Sequence, residues 1–289
     1  MPNGDKPTVN EHFVPRVYLK GFSEVKVKSK KEKALIWQYC LKSMRQIPTQ
    51  VDVESVCADK NLYEFRNEKG EIIYTNMIEN LLGIIEGIFA DTMRSINRKA
   101  FDKRNLKTSC FFTADEKSEL AIYIAIQQLR FPWFIDELED EIKKKYENIL
   151  EKNSIRNLAI ISSLPIYKSL SDNDKSVLLN YFDRLSNMAY FIGVSNDDCI
   201  ITSDNPSALL YDDNHEELVE VIFPLSSKLV LIMKPFTRTK PGFRNRLIEL
   251  SKENIEYINQ ITIRMCKQWI YSRNPLSHEQ IDWIMEDRS

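Results

Sequence analysis

Between residues 76 and 99 apolar side chains return every three or four positions, at Ile78, Leu81, Leu82, Ile85, Ile88, Phe89, Met93 and Ile96. That spacing predicts an amphipathic helix. A longer helical pattern covers 113–152. Thr113 and Glu116 open it as a capping box, and Pro132 is expected to kink it or end its first half. Its second half carries Glu139–Lys143, Asp140–Lys144 and Glu141–Lys145 four residues apart, a solvated face with weak ion pairs. Further helices are expected over 154–163, 174–191 and 251–271, the last with Ser251 as N-cap, and a short one starts at Ser277 with Gln280 completing its box. The pattern turns β-rich at 189–194, 199–203, 207–211, 217–223 and 228–233, with turn residues between, which predicts an antiparallel meander. Strands are also expected at 34–41, 51–56, 61–65 and 71–75, and a short helix begins near Pro15 in the apolar run 12–22. The fold class is therefore a helix-rich α+β protein with long central helices and a small antiparallel β meander. It is read as one compact domain over 1–289, with a β-rich segment at 187–233 between helical parts and another at 34–75.

Composition narrows the function more than the fold. The chain has 289 residues, 43% hydrophobic and 28% charged, which is ordinary globular usage. Forty Lys and Arg against 42 Asp and Glu give a net charge of -2, excluding a strongly basic nucleic-acid binder but not a local basic patch. Two stretches qualify. Residues 23–33 hold Lys26, Lys28, Lys30, Lys31 and Lys33, and residues 236–246 hold Arg238, Lys240, Arg244 and Arg246 beside Phe236 and Phe243. Each is a solvated loop or a track for a nucleic-acid backbone. No G-x-x-x-x-G-K-[ST], G-x-G-x-x-G, H-E-x-x-H or G-x-S-x-G occurs, which argues against P-loop, dinucleotide, zincin and α/β-hydrolase chemistry. Five cysteines without a C-x-x-C and three histidines argue against zinc and multi-histidine sites. With no apolar signal core and no membrane span in the sequence, the expected location is the cytoplasm.

Three polar features break the apolar pattern. From Thr113 to Phe134 the helix is apolar nearly all round, as a buried helix is. Gln127 and Arg130 then fall among aromatics, on the side of Leu120 and Phe131. A buried guanidinium needs a partner, so Arg130 is either a structural ion pair or an anion clamp. Glu79 and Glu86 stack on one side of the 76–99 helix and are the candidate partners. Gly83 and Gly87 lie beside them and are expected to admit close approach of another element. The two carboxylates can also hold a divalent metal or act as acid and base. The third feature, Thr202-Ser203-Asp204-Asn205-Pro206, is a tight turn or a strand end that presents Asp204 to a ligand.

The segment His12-Phe13-Val14-Pro15-Arg16-Val17-Tyr18-Leu19-Lys20-Gly21-Phe22 resembles the "HYVPQFYLRNF" opening of the DUF4238 family, bacterial proteins of unknown function. The resemblance continues in order through Asn61-Leu62-Tyr63, Ile78-Glu79 with Glu86, Gln127-Gln128-Leu129-Arg130-Phe131-Pro132, Thr202-Ser203-Asp204-Asn205-Pro206, Pro224-Leu225-Ser226 and Asn259. Departures are Arg16 where Gln is common, Gly21 where Asn is common and Phe131 where Thr is usual. The resemblance implies that these positions belong to one site particular to the fold.

On this reading His12, Glu79, Glu86 and Asp204 form the catalytic set. Glu79, Glu86 and Asp204 are its metal ligands, and Arg16, Gln127, Arg130, Ser203 and Asn205 bind substrate. One histidine with carboxylates suits Mg²⁺ or Mn²⁺, and Arg130 would hold a phosphate. The expectation is a metal-dependent phosphodiesterase or nuclease-type effector, of the toxin or phage-defence kind. The alternatives are a non-catalytic module binding a ligand or partner, and a metal-independent RNase resembling HEPN domains. The last rests on Arg273-Asn274-Pro275-Leu276-Ser277-His278, which spells R-N-x-x-x-H.

Overall fold

The structure, a computed structural model, describes residues 8–28, 31–43, 48–102, 110–163 and 177–286. They carry fourteen strands and eight helices in an α+β arrangement. The residues fall into two compact units, each assembled from three stretches of chain. The first takes Met1–Phe13, Ala58–Phe89 and Ser118–Ser186; the second takes Val14–Cys57, Ala90–Lys117 and Asn187–Ser289.

In chain order the first half holds β1 (Asn10–His12), α1 (Arg16–Leu19), β2 (Glu24–Lys28), β3 (Lys31–Cys40), β4 (Thr49–Asp52), β5 (Ala58–Lys60), β6 (Phe65–Arg66), β7 (Ile72–Ile73), α2 (Met77–Ala100), α3 (Ala114–Leu129), α4 (Pro132–Tyr146) and α5 (Lys152–Ser163). The second half holds α6 (Val177–Ser186), β8 (Met188–Val194), β9 (Thr202–Ser203), β10 (Ala208–Tyr211), β11 (Leu218–Ser226), β12 (Leu229–Pro235), β13 (Arg246–Glu249), α7 (Lys252–Met265), β14 (Trp269–Ser272) and α8 (His278–Glu286).

The first unit is mainly helical. Ile78, Leu82 and Phe89 of α2 are buried, as are Leu120, Ile124 and Leu129 of α3. The α2 and α3 faces meet through Phe89 and Tyr123, stacked at 3.6 Å between ring centres. Pro132 occupies the first turn of α4 and so divides the helical pattern that began at residue 113, because its ring cannot continue a helix from Leu129. Arg156 of α5 bridges Asp136 and Glu139 of α4 at 2.6 and 2.7 Å. Asn157 holds β6 against α5, accepting from the Arg66 amide at 3.0 Å and donating to the Arg66 carbonyl at 2.7 Å. Two small antiparallel pairs complete the unit, β1 with β5 and β6 with β7.

The second unit is built on two sheets. One has the order β10-β11-β12-β8-β13, with β13 parallel to β8 and the other neighbours antiparallel. The other has the order β2-β3-β14-β9, with β4 also on β3. Tyr39, Ile201, Ile263, Cys266 and Ile270 form a buried cluster around β3, α7 and β14. Tyr18 of α1 stacks on Phe223 of β11, and its hydroxyl shares a 2.7 Å hydrogen bond with Thr202. Gly21 lies so close to β11 that a Cβ there would sit 2.7 Å from the Leu225 carbonyl oxygen, which accounts for glycine at that position.

Several elements differ from the periodicity reading. Residues 199–203 do not extend the meander; Thr202–Ser203 pair with β14 in the other sheet. Residues 61–65 are a turn leading into β6, and β4 ends at Asp52, whose side chain caps a 3₁₀ turn over Val53–Ser55. The lysine-rich 23–33 stretch is a hairpin of β2 and β3 rather than a loop, with Lys26 paired to Glu24 and Lys33 to Asp52. Residues 29–30, with Lys30, lie outside the described residues. The 174–191 helix is α6 followed by β8, and residues 174–176 also lie outside them. The 251–271 helix stops at Met265, and Trp269–Ser272 form β14. Ser251, Thr113 and Ser277 do cap their helices, each accepting from the amide three residues on at 3.3, 3.1 and 3.2 Å. Gly83 and Gly87 are exposed, and a Cβ on either would meet no atom within 4 Å, so they admit no approach from another described element. Among the described residues no helix is long and apolar enough to cross a membrane.

Candidate functional site

The first unit buries a polar cluster where β1 and β5 meet α2 and α3. Its centre is Arg130, the residue after α3 and 2% exposed. One guanidinium nitrogen donates to Glu86 of α2 at 2.9 Å, and another donates to the carbonyl oxygen of His12. Its Nε has no partner among the described residues. The Tyr63 hydroxyl donates to the Arg130 carbonyl at 2.6 Å, and Gln127 donates to the Phe13 carbonyl at 2.7 Å. Burial works against the charge on Arg130. The Tyr63 hydroxyl and the Glu86 carboxylate more than offset it, so its pKa stands above the ordinary arginine value. Four of the expected site residues, His12, Glu86, Gln127 and Arg130, are thus joined through one guanidinium and two main-chain carbonyls.

Beside them lies an arrangement the sequence reading missed. Glu11 of β1 is 1% exposed, and its carboxylate accepts from the Tyr63 amide at 2.8 Å. Burial raises its pKa from 4.5 to about 7, the Tyr63 and Leu62 amides oppose the rise, and the charges of Glu64 and Glu79 add to it. Glu64 is 4% exposed; one oxygen accepts from the Asn76 amide at 3.0 Å, and the other has no partner among the described residues. Two further carboxylates therefore act on the buried Glu11. The signals were present in Asn10-Glu11-His12 and in Leu62-Tyr63-Glu64-Phe65, where a glutamate interrupts an apolar run. Their burial needed the pairing of β1 with β5 to become visible.

The other expected residues belong to the second unit. Asp204 follows β9, and its carboxylate accepts from the consecutive amides of Lys267, Gln268 and Trp269 at 2.9, 2.8 and 3.0 Å. The Cys266 thiol donates to it as well, at 3.4 Å. Asn205 donates to the Met265 carbonyl at 2.9 Å, and the Ser203 hydroxyl donates to the Asn205 carbonyl, also at 2.9 Å. The Thr-Ser-Asp-Asn-Pro turn thus ends α7 and starts β14. Backbone amides that would have continued the helix are held by a side chain instead. Arg16 is exposed on α1, 3.8 Å from Glu54.

The remaining candidates are engaged locally. Arg273 donates to the Ser23 carbonyl at 2.8 Å and pairs with Asp198 at 3.6 Å, while His278 is an exposed first residue of α8. In the 236–246 loop, Arg244 stacks over the Phe236 ring at 4.6 Å and donates to the Phe236 and Thr239 carbonyls; the Phe243 side chain lies outside what is described. His215 sits at positive φ in the turn between β10 and β11. Among the described residues no group of three His, Cys, Asp or Glu stands ready to hold a metal ion.

A family model described as "Protein of unknown function (DUF4238)" matches residues 10–275. The chain belongs to the DUF4238 family. No curated protein matches it, and no solved structure does. The matched span of this DUF4238 protein includes Glu11, Tyr63, Glu64, Arg130 and Asp204, and it ends before His278, so the R-N-x-x-x-H segment is not wholly within it.

Proposed function

We propose that this DUF4238 protein is a metal-dependent phosphodiesterase of the nuclease type, with its active site in the polar cluster of the first unit. One observation carries the reading: Glu11 is buried with Glu64 and Glu79 acting on it, and its pKa is pushed up to about 7. The oxygen of Glu64 that has no partner among the described residues fits a hard-cation ligand. Glu64, through its unpartnered oxygen, would meet Mg²⁺ or Mn²⁺ carried in with the phosphate substrate, and the ion would lower the pKa of a water and polarise a phosphoryl oxygen. Of the expected ligands, Glu86 faces the Arg130 guanidinium and Asp204 accepts from three backbone amides of the second unit. Arg130 and Glu86 hold the main chain of His12 in place, and the His12 imidazole moves the proton. A carboxyl that changes charge near pH 7 is poised for the same work.

The test is cleavage of labelled RNA and DNA with and without Mn²⁺. Wild type is expected to cut only with the metal. Glu11→Gln and His12→Ala should each lose on the order of a hundredfold in rate, the scale of one acid–base group, while His278→Ala stays unchanged. Mn²⁺ should also raise the melting temperature of wild type and not of Glu64→Gln. Folded wild type that cuts neither substrate overturns the reading, as does metal-independent cleavage lost only in His278→Ala.

A further inference from the structure

The second unit carries a groove of about 1130 Å³ between α7 and α8, lined also by Ser195, Asn196, Asp197 and Cys199. Its floor is apolar: Ile201, Ile263 and Ile284 are buried, and Ile255 and Leu276 are half-buried. Its rim is acidic. Asp197, Glu256, Glu279 and Asp282 are exposed around it, against a single ammonium, Lys252, which already lies 3.6 Å from Glu256.

The polar atoms deeper in the groove are already used. Asn259 accepts from the Ile201 amide at 3.1 Å and donates to the Cys199 carbonyl at 2.9 Å. The Ser195 hydroxyl donates to the Asp197 carbonyl at 2.9 Å, and Gln280 accepts from the Ser277 amide at 2.8 Å. A small polar ligand would find few unmet hydrogen bonds here. The volume also exceeds the roughly 300–1,000 Å³ of ordinary small-ligand pockets. An apolar floor flanked by two helices and rimmed by one sign of charge suits an amphipathic helix laid into a groove, with the rim selecting basic flanks.

We propose that this groove docks a basic amphipathic helix of a partner protein. The occupant buries an apolar stripe on the half-buried Ile255 and Leu276, and its lysines or arginines face Glu279 and Asp282 of α8 and Asp197 of the loop. The site is independent of the acidic cluster in the first unit, and either can fail without the other.

The probe is a fluorescent Leu/Lys amphipathic peptide of about 14 residues, four helical turns, titrated with the full chain and followed by anisotropy. Its Leu/Glu counterpart is the charge control. Wild type should bind the Leu/Lys peptide and not the Leu/Glu one, and added salt should weaken binding. The double variant Glu279→Gln/Asp282→Asn should bind about tenfold more weakly. These side chains are exposed, so circular dichroism should be unchanged. Asp140→Asn/Glu141→Gln, an equal loss of exposed charge on α4, should leave binding as it was. Equal binding of both peptides overturns the proposal, as does an equal loss in the two double variants. So does a result in which dodecylamine occupies the groove, by competition or by quenching, while the peptide does not bind.

Discussion

Glu11 lies on a short strand and Asp204 directly follows one, and both carboxylates are almost fully buried. Their surroundings differ. Asp204 receives three consecutive backbone amides and a thiol, and its charge is spent on joining α7 to β14. Glu11 receives the amides of Tyr63 and Leu62 and faces two more carboxylates. Burial of an acid is therefore not by itself a sign of function. What separates the two is how fully neighbouring N–H groups answer the carboxylate, and the proposed chemistry falls to the one they answer less.

The largest expected effect breaks the compensated side. Asp204→Ala leaves a run of amides without an acceptor and should cost about 4 kcal/mol of stability in chemical denaturation. Asp204→Asn, which keeps one acceptor oxygen, should cost roughly half as much. A loss below about 1 kcal/mol in Asp204→Ala would mean water replaces the carboxylate, and the contrast with Glu11 would fail.

Next in size is the pH dependence of the uncompensated side. The folded pKa of Glu11, about 7, lies above its ordinary 4.5. Between those values the folded protein holds a proton the unfolded chain has released. The stabilisation is complete below about 4.5 and is lost as pH rises through 7, on the order of 3 kcal/mol in all. Melting temperatures should fall between pH 5 and pH 8, and Glu11→Gln should flatten that slope and be the more stable form at pH 8. An unchanged slope in Glu11→Gln would assign the titration to another group.

Glu86→Gln should cost about 2 kcal/mol. It removes the charge that faces a guanidinium 2% exposed, although Glu86 itself keeps some contact with solvent. The effect should shrink in the double variant Arg130→Met/Glu86→Gln, where no buried charge is left behind. The smallest effect sharpens the rest. Gly83→Ala and Gly87→Ala lie on the same helix as Glu79 and Glu86, in open space, and should each stabilise by roughly 1 kcal/mol without changing the pH slope. A slope that moved with them would mean helix stability, not the Glu11 environment, sets it.

Much of the local architecture was legible along the chain. The periodic burial of Ile78, Leu82 and Phe89 and the caps at Thr113, Ser251 and Ser277 follow from neighbours within a turn or two. The break at Pro132 needed only the missing amide and the clashing ring. Arg130 betrayed itself as a cation set among aromatic and apolar residues, and Glu86 as one of two candidate partners, with Glu79, beside the stripe of the preceding helix. The end of α7 was not legible, because Asp204 stops it from more than sixty residues away in sequence. Nor was the role of Gly83 and Gly87, since sequence cannot distinguish a glycine that admits a neighbour from one with nothing beside it.

The sequence by itself determined the α+β class, the membership signalled by ordered motifs from His12 to Asn259, and the identity of the polar residues set into apolar elements. These depend on periodicity and on residue chemistry, which are local. The tertiary structure alone decided which carboxylates are compensated. Pairing β1 with β5 brings Glu11 to the Tyr63 amide and into the field of Glu64 and Glu79, whereas the close of α7 turns three amides onto Asp204. The charge state of a buried acid depends on the dielectric and dipoles around it, and those are contributed by residues distant in the chain.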